Sequence, residues 1–123
     1  MLENNRAQRL SLNGDWQIEI ADQSGAITVP GVWEMQGYPP DAVTAIYTRS
    51  IQIPSEWAGA RVFLRFEAVS YRAEVSVNGQ IVGTHDGMWT PFEFDVTNVI
   101  HAGTANTITL TVTKPGGDGS PFT

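Results

Sequence analysis

The chain has 123 residues, a length that suits one domain, and 41% of them are hydrophobic, enough for one core. Thirteen Asp and Glu against seven Lys and Arg leave a net charge of −6, so nucleic acid and anionic membranes are excluded as expected partners. There is no cysteine, and His85 and His101 are the two histidines, so neither a disulfide nor a thiolate or histidine metal site is expected, and no cofactor is called for.

Taken in chain order, the opening MLENNRAQRL is polar and lacks the apolar stretch of a signal peptide. Residues 1–9 read as an extension, and a cytoplasmic location is slightly favoured over a secreted one. Trp16 to Ile20 then alternates apolar and polar residues, as a strand with one buried face does. Ile27 to Val29, Ile46 to Ile53, and Val62, Leu64 and Phe66 with their polar or outward neighbours read the same way. So do Ala73, Val75 and Val77, the pair Phe92 and Phe94, and the strictly alternating Thr107 to Thr113.

Turn signals separate these runs: Asn13-Gly14, Ser24-Gly25, Pro30-Gly31, Pro39-Pro40, Ala58-Gly59, Asn78-Gly79 and Ala102-Gly103. Asn78-Gly79 predicts a type I′ hairpin, because both central residues of that turn need positive φ. No long segment has helical period; Asn98 to Ala102 is expected to form one helical turn capped by Thr97 or Asn98. The Gly- and Pro-rich residues 115–123 read as a linker or truncated tail. The expected fold is all-β, an antiparallel β-sandwich of jelly-roll type over residues 10–114.

Several local patterns then coincide. Leu12-Asn13-Gly14-Asp15-Trp16, Val29-Pro30-Gly31-Val32-Trp33, Tyr47-Thr48-Arg49, Leu64-Arg65-Phe66-Glu67-Ala68-Val69, Val77-Asn78-Gly79 through Gly83-Thr84-His85, Thr90-Pro91-Phe92-Glu93-Phe94-Asp95-Val96-Thr97, and Gly103 to Val112 occur in this order. Together they resemble the N-terminal sugar-binding domain of family 2 glycoside hydrolases, the β-galactosidase, β-glucuronidase and β-mannosidase type. The resemblance covers roughly residues 10–118. It implies a galactose-binding-like sandwich that carries no catalytic machinery. It also implies a separate (β/α)₈ barrel as partner, which would hydrolyse O-glycosidic bonds by a retaining mechanism with two Glu. Such a barrel needs roughly 250 residues. The family usually places a further strand after a long loop, and this sequence stops before one. An unfilled slot of that kind is expected to leave a sheet edge open to self-association.

A planar aromatic can stack on the apolar face of a sugar while carboxylates and amides bind its hydroxyls. Trp33, Trp57 and Trp89 are candidates for that role. Trp33 and Trp89 fall in loops and stand near Glu34, Gln36 and Tyr38 in one case and Asp86 in the other. The expected carbohydrate-binding residues are therefore Trp33, Glu34, Asp86 and Trp89. Asp118 joins them because the resemblance implies substrate contact just after the last matched strand. Trp16 is expected in the core. Asp95 is expected to accept backbone N–H groups in a turn, and His85 to pack on an aromatic or bond a carbonyl. No Asp-rich loop suggests calcium. Two other readings fit the same residues: a free-standing carbohydrate-binding module or lectin, and a structural interaction domain.

Overall fold

The computed structural model describes residues 1–29, 36–38, 42–66, 72–86 and 91–113. Within them lie β1 (Leu2–Asn4), β2 (Arg9–Leu10), β3 (Gly14–Ile20), β4 (Gln23–Val29), β5 (Thr44–Gln52), β6 (Val62–Phe66), β7 (Arg72–Val77), β8 (Gln80–His85), β9 (Phe92–Asp95) and β10 (Ala105–Thr113). A 3-10 turn, Ser55–Trp57, follows β5. Two antiparallel sheets result: β2-β1-β6-β9, and the larger β4-β3-β5-β10-β7-β8. This is the expected all-β sandwich.

The alternation in the sequence sets which face each strand buries. Trp16, Ile18 and Ile20 of β3 point into the core while Asp15, Gln17 and Glu19 face out. In β10, Asn106, Ile108, Leu110 and Val112 point in, and the intervening threonines line the outer face. Strand β10 is central, with Leu110 opposite Tyr47 of β5 and Val75 of β7, so three inward rows stack on one register. Leu2, Leu64 and Phe92 of the smaller sheet pack against them. Each large apolar side chain buried in this way contributes about 1.5–3 kcal/mol.

Four local expectations change. Residues 1–9, read as an extension, contain β1, whose Leu2 is fully buried opposite Leu64 of β6. Their polar composition hid a strand because only Leu2 and Asn4 face inward. The first hairpin turns at Ala21-Asp22, with Ala21 at φ 54°, while Ser24 and Gly25 lie inside β4. Residues 97–99 form a hydrogen-bonded turn rather than a helix, with Val99 and Ile100 N–H both donating to the Val96 carbonyl. Trp57, a candidate stacking platform, is buried in the core by the 3-10 turn. The Asn78-Gly79 hairpin forms as predicted, with φ of 52° and 82°.

Glycine matters at two close approaches. A Cβ on Gly83 would lie 2.4 Å from Phe94, so its absence lets β9 of one sheet pack on β8 of the other. A Cβ on Gly25 would lie 2.6 Å from the Tyr38 hydroxyl, which instead reaches over β4 and donates to the Ala26 carbonyl at 2.7 Å.

Candidate functional site

The strand registers decide which candidate loops share an end of the sandwich. Thr113 pairs with both Thr44 and Arg72, and His85 pairs with Ala73. The chain therefore leaves β10 at the same end at which it leaves β8. Asp86 stands at that end, exposed, with its Oδ1 3.9 Å from Arg72 Nε. Val29, which precedes the segment carrying Trp33 and Glu34, pairs with Gly14 at the opposite end of β3. Trp33, Glu34, Trp89 and Asp118 lie outside the described residues. Of the predicted sugar contacts only Asp86 is placed, and the partner near it among the described residues is a solvated cation of little energetic weight.

Aromatic rings fill the interior at the Asp86 end. Phe92 stacks on His85 with ring centroids 4.3 Å apart and on Phe66 at 5.2 Å, and meets Phe94 edge-on at 5.6 Å. The His85 ring thus packs on an aromatic as expected. Its Nε2 is buried and has no hydrogen-bond partner among the described residues. A buried polar atom left unpaired has a cost, so what holds this ring is its stacking.

A groove that sequence reading missed runs along the outer face near the same end, lined by Glu19, Ala21, Ala42, Val43, Thr44 and Ile46. Its signal in the sequence is slight, because Ile46 sits in an outward position that alternation assigns to solvent. Among the described residues no three His, Asp or Glu side chains converge to hold a metal ion.

Several polar side chains in and beside the recognised patterns are engaged in the fold itself. Arg49 Nη1 donates to the carbonyls of Leu12 and Asn13, each at 2.8 Å, and Trp16 Nε1 donates to the same Leu12 carbonyl at 2.7 Å. Asp95 Oδ1 accepts from the Thr97 hydroxyl at 2.6 Å and its N–H at 3.0 Å, while Oδ2 takes Arg61 Nη2 at 2.7 Å. The Thr97 hydroxyl and N–H, aided by Arg61, hold the Asp95 carboxyl below the usual carboxylate range. Gln36 bonds Thr28 in both directions, accepting from its N–H at 2.8 Å and donating to its carbonyl at 3.0 Å. Gln36 and Tyr38, noted as polar neighbours of Trp33 in the sequence, thus bind the outer edge of β4.

Known proteins agree with this architecture. A family model described as "Glycosyl hydrolases family 2, sugar binding domain" matches residues 39–121. The chain is 29% identical to a β-galactosidase of Priestia megaterium, across 83% of this chain and 14% of that protein. It is 27% identical to a β-glucuronidase of Bacteroides fragilis, across 82% of this chain and 16% of that protein. A solved β-glucuronidase of Bifidobacterium dentium superposes with a TM-score of 0.77 at 32% identity, over 92% of this chain and 20% of that one. The chain thus spans about a seventh of the length of these curated relatives. It belongs to the sugar binding domain of the glycosyl hydrolases of family 2.

Proposed function

We propose that this domain is a non-catalytic carbohydrate-binding and scaffolding part of a β-glycosidase, with hydrolysis of the O-glycosidic bond performed by a (β/α)₈ barrel that it supports. The observation that carries the reading is the family match over residues 39–121 on a two-sheet sandwich. The relatives named above are a β-galactosidase and β-glucuronidases, so β-galactosides and β-glucuronides are the substrates proposed for the whole enzyme.

Sugar contact is assigned to Trp33, Glu34, Asp86, Trp89 and Asp118. The registers favour Asp86, Trp89 and Asp118 acting together, because β8 and β10 both end beside Arg72. The test uses the chain alone with chromogenic β-galactosides and β-glucuronides, and then sugar titration followed by tryptophan fluorescence. No turnover is expected, and any turnover that survives purification would overturn the non-catalytic assignment. Binding abolished in Trp89→Ala would support a sugar-contact role for the Asp86 end; binding that survives both Trp89→Ala and Asp86→Ala would remove it.

A further inference from the structure

The sequence contains two Asn-Gly pairs, Asn13-Gly14 and Asn78-Gly79. This dipeptide is prone to spontaneous deamidation because glycine has no Cβ to shield its nitrogen and has the freest backbone. The glycine nitrogen attacks the Asn Cγ, a new N–Cγ bond closes a succinimide ring, and the side-chain nitrogen leaves as ammonia. Water then opens the ring at either carbonyl, giving Asp or isoaspartate. The net change is amide and water to carboxylic acid and ammonia, with no oxidant or reductant required.

The reaction needs a side chain free to swing onto the following nitrogen, and the two sites differ in that respect. Asn78 Oδ1 accepts from Thr107 N–H at 2.9 Å, and its Nδ2 donates to the Val99 carbonyl at 2.7 Å and to Asn106 Oδ1 at 2.8 Å. Asn106 is itself fully buried. Its Oδ1 also accepts His101 N–H at 2.7 Å, and its Nδ2 donates to the carbonyls of His101 at 2.7 Å and Thr104 at 3.0 Å. Asn106 cannot flip to meet a changed neighbour, since flipping would turn its oxygen onto two carbonyls. A carboxylate at position 78 would therefore face the Val99 carbonyl and the Asn106 oxygen with no donor between them. Asn13 presents the opposite case. It is exposed, and its side-chain amide has no hydrogen-bond partner among the described residues, its backbone alone being held by Ser11 and Arg49.

We propose that Asn13 is the deamidation site of the folded domain and that Asn78 is a guarded site, closed by Asn106 and opened only by unfolding. The product at Asn13 is tolerated as Asp, because the new charge arises beside the Arg49 guanidinium that already binds the Asn13 carbonyl. At Asn78 the product cannot fit the network, so each unfolding event carries a chance of irreversible loss.

The experiment is a time course of peptide mapping by mass spectrometry on the full chain, native and in urea, in mildly alkaline buffer. In the native chain Asn13 gains the amide-to-acid mass shift at least about tenfold faster than Asn78, because folded-state reaction at Asn78 waits on local opening. In urea the two rates agree within about threefold, since neither side chain is held there. A native ratio below tenfold, or a native chain that keeps both amides, overturns the proposal. Asn106→Ala raises the native rate at Asn78 toward the urea value. Should that variant fail to fold, the wild-type ratio still decides. Asn78→Asp, which installs the product directly, lowers Tm by roughly 10 °C, whereas Asn13→Asp leaves it within about 2 °C. Equal shifts in these two variants would also overturn the assignment.

Discussion

His85 shows how the demands of packing and of hydrogen bonding separate within one side chain. Its ring lies 4.3 Å from Phe92 at an angle of 13°, yet its Nε2 is buried without a hydrogen-bond partner among the described residues. Replacing it by Phe keeps the stack and removes the unpaired nitrogen, so His85→Phe is expected within about 1 kcal/mol of wild type or above it. His85→Ala opens a cavity under Phe92 and is expected to cost about 2–4 kcal/mol. Urea denaturation of the two variants checks this, and equal losses would show that the nitrogen, not the ring, is what the position requires. Asp95 makes a pH prediction. Its carboxyl is held below its ordinary value by Thr97 first and Arg61 second. A lowered folded value means the carboxylate stabilises the fold above the unfolded pKa of about 3.9 and loses that contribution as pH falls through the folded value. The group is exposed and screened, so Asp95→Asn is expected to cost no more than about 1 kcal/mol at neutral pH. That difference should close in acid, read from denaturation midpoints along a pH series. A constant difference at all pH would mean that the charge is irrelevant.

At the scale of elements, the edge strand β4 carries a device against self-association. An edge strand offers alternate N–H and C=O groups to any passing chain. Here the Ala26 carbonyl is taken by Tyr38, and both the N–H and the carbonyl of Thr28 are taken by the Gln36 amide. Side chains thus stand where a neighbouring strand would pair. At another edge of the larger sheet, β8 meets β9 through Gly83 and Phe94, so the two sheets close on one another there. The double variant Gln36→Ala, Tyr38→Phe exposes three backbone groups of β4 with little change in the core. It is expected to associate more strongly than wild type with rising concentration, as measured by sedimentation velocity. An unchanged sedimentation profile would show that the two side chains do not guard this edge.

At the scale of the whole molecule, the sequence by itself determined the fold class and the family. Alternation with period two assigns the inward rows of β3, β7 and β10, and burial follows that assignment because a pleated strand leaves only two faces to choose from. The Asn78-Gly79 hairpin was legible for an equally local reason, the positive φ its turn demands. Only the tertiary structure decided what the polar residues in and beside the patterns do. Arg49, Gln36, Tyr38 and Asn106 all find their partners across turns or in other strands, and no periodicity encodes such pairings. The same holds for β1, where one buried leucine in a polar stretch becomes a strand because β6 is there to receive it. It holds for Trp57 too, whose burial in the core rests on a short 3-10 turn. Of the sugar contacts, the sequence supplied the candidates, and the registers decided that the segments after β8 and β10 leave from one end while the segment after β4 leaves from the other. Residue spacing fixes faces along a strand, whereas proximity between strands is a property of the packed sheets alone.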